Sequence, residues 1–238
     1  MNKQVAEFRV NGARLIGDMS GAVYWPAAGA LIVADLHLEK GSAYATRGVA
    51  LPPYDTAETL NRLEACLERY APRLLVSLGD SFHDTRWQER MAAADAARLV
   101  SLTRQLRTVW VLGNHDPTPP PGLAGEAYDS FDMRADGSLH FRHEPMARDA
   151  TTFIRGEVAG HLHPCARVRQ RGRVLRRRCF VEDTTRLVLP AFGALTGSLN
   201  VLDPAFDEVF AAGHFNAWMI GKTTIAGLSA HQLSPDRG

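Results

Sequence analysis

Carboxylate, imidazole and amide side chains recur in five short clusters within the 238-residue chain. In an Asp-x-His or His-x-His cluster, both polar side chains point to one face of an extended chain. Oxygen and nitrogen ligands without thiolates suit Mn²⁺, Fe²⁺ or Zn²⁺ better than Ca²⁺, which prefers oxygen alone. A pair of such ions can clamp the attacking and leaving oxygens of a phosphoryl centre. The clusters are Asp35-Leu36-His37, Gly79-Asp80, Gly113-Asn114-His115-Asp116, His143-Glu144 and Gly160-His161-Leu162-His163.

Short apolar runs that predict buried strands precede the first three clusters. These runs are 31–34, 74–78 and 108–112, and predicted helices alternate with them. An alternation of strands and helices indicates a βαβαβ sheet with helices on its faces. Ligands bind outside the carboxyl ends of the strands in such a sheet, so the three clusters are expected to converge on one crevice.

Turn and capping signals predict the remaining elements. Residues 8–16 alternate in polarity around Asn11-Gly12, which predicts a tight hairpin. Asp55 is the predicted N-cap of the first helix, with Glu58 completing a capping box, and a second helix is predicted over 89–106. After a loop, the second half of the chain predicts strands at 139–143, 152–159, 165–180 and 185–190, without a long helix.

The composition is that of an ordinary globular protein, since 45% of the residues are hydrophobic and 22% are charged. No stretch approaches the roughly 18 consecutive apolar residues that a membrane span needs, and the first residues lack the apolar core of a secretory signal. Three scattered cysteines fit a reducing cytoplasm. We therefore expect one cytoplasmic α/β domain over residues 1–238, built as a β-sandwich of two mixed sheets flanked by helices.

The five clusters, in this order, resemble the motifs of the calcineurin-like metallophosphoesterase superfamily, and the match covers residues 35–163. The resemblance implies a metallophosphoesterase-type sandwich, two divalent metal ions and a position for His115 near the leaving oxygen. His143 is preferred to His140 as a ligand because it ends a predicted strand, as the other ligands do. The implied ligands are Asp35, His37, Asp80 and His163 for the first metal, and Asp80, Asn114, His143 and His161 for the second, with Asp80 as the bridge.

A narrower resemblance connects the chain with the bacterial ligase-associated DNA damage response endonucleases, the PdeM family. It implies an endonuclease that acts in DNA repair beside a DNA ligase and a helicase. Three residues after the bridging aspartate, phosphatases of the superfamily tend to carry Asp, whereas nucleases similar to this chain carry His. His83 therefore favours a nuclease and is expected to hold the ring of His115. The segments that carry this resemblance are 35–41, 51–56, 79–84 and 190–193.

Seven arginines and no acidic residue lie between residues 166 and 178. Two interpretations remain open: a solvated basic face, or a surface that binds the phosphate backbone of DNA without reading its bases. The stretch begins four residues after the last cluster, which predicts a position near the active site and favours DNA. Gly172 could turn a hairpin within it. The proposed DNA-binding residues alternate at the period of a strand and are Arg167, Arg169, Arg171 and Arg173.

The sequence thus predicts a phosphodiesterase and endonuclease that cleaves single-stranded or flexible DNA, with Mn²⁺ as the expected metal and Fe²⁺ or Zn²⁺ as alternatives. A phosphomonoesterase or a cyclic-nucleotide phosphodiesterase is the first rival, against which His83 and the arginines weigh. A non-catalytic DNA-binding repair subunit is the second rival. The intact His115 and the full set of ligands weigh against that rival.

Overall fold

In the computed structural model, which describes residues 4–49, 51, 54–148, 155–170 and 172–236, the chain folds into two β-sheets and a few helices. The first sheet contains β1 Val5–Val10, β2 Ala13–Asp18, β3 Val23–Trp25, β4 Ala30–Val33, β5 Leu74–Leu78, β6 Arg107–Val111 and β7 Glu126–Tyr128. β1 to β4 are antiparallel neighbours, and β4 to β7 are parallel neighbours. The three predicted buried strands are therefore confirmed as β4, β5 and β6.

The predicted hairpin at the start of the chain is also confirmed. Asn11 and Gly12 connect β1 and β2 with φ angles of 47° and 89°. A two-residue turn of this kind needs positive φ at both positions, which Asn and Gly tolerate best.

The helices differ from the sequence prediction at their N-termini. The predicted cap by Asp55 is wrong, because the N-cap is Tyr54 and the Asp55 carboxylate instead accepts a hydrogen bond from the Gly41 N–H at 2.9 Å. The second predicted helix begins four residues late, because the buried Trp87 stacks on Phe82 at 3.9 Å within a preceding 3₁₀ turn. The helices are α1 Lys40–Ala45, α2 Asp55–Tyr70, α3 Ala93–Gln105 and α4 Pro204–Asp207.

The second sheet contains β8 Ser130–Arg134, β9 Ser138–Arg142, β10 Glu157–Ala159, β11 Pro164–Gln170, β12 Arg173–Glu182, β13 Arg186–Val188, β14 Leu199–Asn200, β15 Asn216–Ile220 and β16 Ile225–Ser229. Its order is β14-β11-β12-β13-β10-β9-β8, and β15 lies between β12 and β16. The predicted strand at 165–180 is the hairpin β11–β12, and 152–154 of another predicted strand lie outside the described residues. No helix in the described ranges is long and apolar enough to cross a membrane.

The two sheets pack face to face around the main hydrophobic core. Phe8, Ile32 and Val76 contribute from the first sheet, and Phe141 and Phe180 contribute from the second. Fully burying a side chain of this size stabilises a fold by about 1.5–3 kcal/mol. Alternate residues of β4 and β5 face outward and pack against α2 and α3. The predicted α/β sandwich of two mixed sheets flanked by helices is therefore confirmed, with the parallel strands β4, β5 and β6 ending at the same edge.

Candidate metal centre

The five polar clusters meet at one edge of the sandwich, beyond the ends of β4, β5, β6, β9 and β10. Residues other than glycine rarely adopt positive φ, and such backbone strain concentrates at functional sites, where the surrounding fold compensates for it. Five of the seven predicted ligands have this conformation. They are Asp35 (φ 54°), His37 (44°), Asp80 (47°), His161 (69°) and His163 (45°).

Asp35, His37 and His163 form the first group of converging side chains. The Nε2 atoms of His37 and His163 are 3.3 Å apart, and His163 Nε2 is 3.3 Å from Asp35 Oδ1. Asp80 completes the group, with its Oδ2 atom 3.7 Å from His37 Nε2. The structure therefore brings all four residues predicted for the first metal together.

The second group lies at the other carboxylate oxygen of Asp80. His143 Nε2 is 3.5 Å from Asp80 Oδ1, 3.1 Å from Asn114 Oδ1 and 3.1 Å from His161 Nδ1. His140, the other histidine weighed for this position, instead contacts a carboxylate of the neighbouring strand β8 at 2.9 Å. All four residues predicted for the second metal therefore converge, and His143 rather than His140 is the histidine at this position.

The spacing of these atoms fits bound divalent cations better than hydrogen bonds alone. Two facing imidazole nitrogens can share only one proton, yet nitrogen and oxygen atoms crowd together at 3.1 to 3.7 Å in both groups. Ligand atoms bound at about 2.0–2.2 Å to one ion lie roughly 3–3.5 Å apart. Because Asp80 directs one oxygen at each group, the residues could hold two ions with this carboxylate between them.

Main-chain contacts behind the two groups fix the orientation of their side chains. His143 Nδ1–H donates to the Leu78 carbonyl at 2.9 Å, which leaves Nε2 directed at the cluster. Gly79 has a φ of 72°, and a Cβ atom there would lie 2.4 Å from the His143 ring, so glycine is required. The Asp35 carboxylate accepts a hydrogen bond from the His161 N–H at 3.0 Å.

The buried carboxylates make the site attractive to cations. Burial lowers the pKa of His37 to about 3, so its imidazole is neutral and able to bind a metal. Burial opposes ionisation of Asp80, but contacts with His143 and with the His115 N–H hold the pKa of this carboxyl below its usual value. Burial also disfavours charge on His143, yet the carboxylates of Asp80 and Asp35 raise its pKa to about 9. Positive charge is therefore stabilised between the two carboxylates.

His115 lies at the open side of the site, with 38% of its side chain exposed. Its Nδ1 atom is 2.7 Å from the main-chain carbonyl of His83, and its Nε2 atom is 3.9 Å from Asp80 Oδ2. The His83 imidazole stacks beside the His115 ring, with centroids 5.2 Å apart. The predicted contact thus exists, but the main chain of His83 makes the hydrogen bond. Nitrogens of His37, His83 and His115 also lie within 4.8 Å of one another, an alternative grouping for a cation.

Asp116 connects the two loops that carry Asp80 and Asn114, a role that the sequence analysis missed. Burial raises the pKa of its carboxyl to about 6. A carboxylate beside the Gly-Asn-His motif was visible in the sequence, but its partners come from a distant loop. It accepts hydrogen bonds from the N–H groups of Asp80 (3.0 Å), Ser81 (2.7 Å), Phe82 (3.2 Å) and Gly113 (3.1 Å).

We expect Asp116→Ala to lower the free energy of unfolding of the metal-free protein by about 2–4 kcal/mol. The substitution removes the acceptor of four N–H groups, and an unsatisfied buried donor costs about 1–3 kcal/mol, part of which water recovers. Asp116→Asn keeps one acceptor oxygen and should lose less. Urea unfolding measures both variants, with the exposed Asp129→Ala as the control. A loss for Asp116→Ala no larger than that of the control would contradict the role of this carboxylate.

The hairpin β11–β12 carries most of the arginine stretch away from the metal centre. Arg173 pairs with Gln170, seven residues beyond His163, which is a separation of about 23 Å at about 3.3 Å per residue. The expectation that this end of the stretch lies near the active site is therefore wrong. By the same register Arg178 pairs with Cys165 and returns to the end of the strand where His163 lies.

The four arginines proposed to bind DNA have different surroundings. Arg167 donates to Ser234 Oγ at 3.3 Å and is thereby engaged by the C-terminal segment. Arg169 and Arg173 are exposed. Arg171 lies outside the described residues.

Comparison with known proteins agrees with the motifs. The profile of the calcineurin-like phosphoesterase family matches residues 30–178. The structure is similar to that of the Pseudomonas putida nuclease MPE, with 31% identity, a TM-score of 0.67, and coverage of 93% of this chain and 100% of that one. A phosphoesterase from E. coli, Yfce, is more distant, at 13% identity with a TM-score of 0.44, covering 84% of this chain and 98% of that one. No curated protein matches the sequence. The chain therefore belongs to the calcineurin-like phosphoesterase family, and it is a hydrolase of phosphoester bonds.

Proposed function

We propose that this protein is an endonuclease that hydrolyses phosphodiester bonds in DNA with two divalent metal ions. The observation that carries the proposal is the position of Asp80, which directs Oδ2 at one group of side chains and Oδ1 at the other. Bound metal ions supply Lewis-acid polarisation of phosphoryl oxygens and an activated water. The proposed ligands are Asp35, His37, Asp80 and His163 for the first ion, and Asp80, Asn114, His143 and His161 for the second.

The mixture of ligands supports Mn²⁺ as the metal, with Fe²⁺ or Zn²⁺ as alternatives. Carboxylate and amide oxygens suit Mn²⁺, and imidazole suits Fe²⁺ and Zn²⁺. The donor set of the described site contains no thiolate, which argues against a purely thiophilic metal.

DNA is proposed as the substrate because the chain is 31% identical to a nuclease over nearly the whole length of both proteins. Single-stranded or flexible DNA suits a site at which His115 is open to solvent. A role in DNA repair beside a ligase and a helicase rests on the resemblance of the sequence motifs alone. The proposed location in the cytoplasm rests on the three scattered cysteines, which fit a reducing compartment.

His115 is proposed as the general acid that protonates the leaving oxygen. Its Nδ1 atom is fixed by the His83 carbonyl at 2.7 Å, so the ring has one defined orientation. The opposite nitrogen, Nε2, lies near Asp80 on the open side of the site. A side chain that is held at one nitrogen and free at the other can deliver a proton at one position.

Metal analysis combined with a cleavage assay tests the proposed function. The purified protein is assayed with Mn²⁺, Fe²⁺, Zn²⁺ and Mg²⁺ on single-stranded DNA, plasmid DNA, a cyclic nucleotide and a nitrophenyl monoester. Two metals per chain and metal-dependent cleavage of DNA are expected. Faster turnover of the monoester or of the cyclic nucleotide than of DNA would favour the phosphatase or cyclic phosphodiesterase rival. DNA binding without turnover would favour a non-catalytic subunit.

The exposed end of the hairpin β11–β12 is proposed to contact longer DNA. Replacing Arg169, Arg171 and Arg173 with Gln is expected to weaken binding of single-stranded DNA and to flatten its salt dependence by about 0.7 log units per lost phosphate contact. Hydrolysis of a small nitrophenyl diester should not change. The control makes the same charge change at exposed residues elsewhere, Arg9, Arg104 and Arg134. Equal DNA affinity in the two triple variants would assign the stretch to a solvated basic face.

A further inference from the structure

A polar pocket of about 350 Å³ lies beside the first group of proposed metal ligands and borders one of its members, His163. Arg62, Arg178 and the loop 191–198 form its other walls. Its size lies at the lower end of the range of about 300–1,000 Å³ found for ligand pockets, which suits a sugar-phosphate unit. No acidic side chain lines this pocket in the described chain.

Arg178 brings a partly buried positive charge to this pocket, and no carboxylate of the described residues pairs with it. Its Nη1 and Nη2 atoms donate to the carbonyls of Ala191 at 3.3 Å and Met19 at 3.2 Å. Burial lowers the pKa of its guanidinium to about 10, so the group remains charged at neutral pH. The nearby buried carboxylate of Asp18 is already engaged by Arg69 at 2.6 Å. Partial burial of a charge without an ion-pair partner carries a cost, and a bound anion would offset it.

Arg62 adds a second cation from the helix α2. Its Nη1 atom donates to the carbonyl of Phe192 at 2.7 Å, which places the guanidinium at the pocket wall. Its carboxylate partner, Glu58, is 3.3 Å away with 65% of its side chain exposed, so solvent screens this ion pair. Two guanidinium groups and few competing carboxylates form a site for a phosphate, which arginine binds in a bidentate manner.

The pocket wall is fixed to the metal centre by main-chain contacts. The N–H groups of Phe192 and Gly193 donate to the carbonyls of Ala34 at 2.8 Å and Asp35 at 3.2 Å. A Cβ atom at Gly193 would lie 2.2 Å from the Leu36 carbonyl oxygen, so only glycine permits this approach. The sequence motif at 190–193 therefore holds the pocket in register with the loop that carries the first metal ligands.

We infer that this pocket binds the phosphate next to the scissile phosphodiester in the DNA strand. The inference rests on the proposed function and defines the substrate further: the preferred substrate has at least two consecutive phosphates. A nitrophenyl diester carries only the scissile phosphate and cannot use the pocket. Arg62 and Arg178 thereby act in substrate positioning, at a distance from the reacting bond.

The test compares trinucleotides with two phosphates and trinucleotides in which one linkage is an uncharged methylphosphonate. In the wild-type protein, the methylphosphonate on one side of the cleaved bond should lower kcat/KM by roughly 10- to 100-fold, the effect of one or two charge-assisted hydrogen bonds. Arg178→Gln and Arg62→Gln should lower kcat/KM by a similar factor on the two-phosphate substrate. On the methylphosphonate substrate, which already lacks the neighbouring charge, the same substitutions should lower kcat/KM only slightly. Hydrolysis of the nitrophenyl diester should stay within about twofold of wild type.

Arg177→Gln is the matched control, because it removes the same charge from the neighbouring residue, whose side chain points to the opposite face of β12. Affinity of the metal-free protein for the trinucleotides provides a second readout, and Arg62→Gln keeps it informative if Arg178→Gln fails to fold. The inference would be overturned if the methylphosphonate lowered kcat/KM as much in the arginine variants as in the wild-type protein. It would also be overturned if the arginine variants lost as much activity on the nitrophenyl diester as on the two-phosphate substrate. A wild-type protein that cleaves the diester but no oligonucleotide would instead overturn the proposed function.

Discussion

Asp80→Ala should lose both metal ions and reduce hydrolysis by roughly 10⁴-fold or more. The carboxylate of Asp80 lies between the two groups of side chains, with His37 Nε2 3.7 Å from one oxygen and His143 Nε2 3.5 Å from the other. Each ion is expected to supply several kcal/mol of transition-state stabilisation, and each 1.36 kcal/mol corresponds to a tenfold change in rate. Loss of the shared ligand therefore weakens both contributions at once.

Metal content and kcat should be measured together for Asp80→Ala and for the isosteric Asp80→Asn. The asparagine variant keeps the shape of the side chain and an acceptor for the His115 N–H, which bonds to Asp80 Oδ1 at 2.9 Å. Asp84→Asn is the control, because its carboxylate lies in the same loop but pairs with Arg90 at 2.6 Å. An Asp80→Ala protein that retained two metals and cleaved normally would contradict the proposed ligand set.

The parts of the fold that follow from local patterns were predictable from the sequence. Nearly every side chain of β4, β5 and β6 is buried. Strands of a parallel sheet that are buried on both faces appear in the sequence as continuous apolar runs, which made these three strands predictable. The turn at Asn11-Gly12 was predictable because Asn and Gly tolerate the positive φ angles that a two-residue turn requires. The prediction that Asp55 caps the first helix was wrong because a tertiary hydrogen bond from the Gly41 N–H determines the position of the Asp55 carboxylate.

The convergence of the first three polar clusters was also predictable, because parallel strands end at one edge of a sheet. The partner of each polar atom was not. Asp116 is adjacent to His115 in sequence, but most of the N–H groups that donate hydrogen bonds to its carboxylate belong to the loop after β5. His83 contacts His115 through a main-chain carbonyl, which no residue type reveals.

The arginine stretch shows how register limits such predictions. Proximity in sequence to His163 predicted that the whole stretch lies near the site, but a strand carries successive residues away at about 3.3 Å each. The hairpin turn at Gly172 brings the last arginine, Arg178, back opposite Cys165. Arg178 can be identified from the pairing of β11 with β12 across that turn. The sequence alone does not determine the register of this pairing.

His115→Ala should reduce cleavage of DNA by about 10²–10⁴-fold, the usual contribution of a general acid, while both metals remain bound. The leaving oxygen of DNA is a strongly basic alkoxide that departs slowly without a proton. A nitrophenolate is far less basic, so hydrolysis of a nitrophenyl diester should lose much less. His115 Nε2 is 3.9 Å from Asp80 Oδ2, outside the direct contacts that define the two groups of ligands.

His83→Ala is the informative comparison for this prediction. The hydrogen bond that holds the His115 ring comes from the His83 carbonyl, which the substitution retains, and only the stacked imidazole is lost. His83→Ala should therefore lose less activity on DNA than His115→Ala, with the same preference for the nitrophenyl diester. Equal losses on both substrates in His115→Ala would assign this residue to stabilisation of transition-state charge. Loss of a metal ion from His115→Ala would instead favour the alternative grouping of His37, His83 and His115 as ligands.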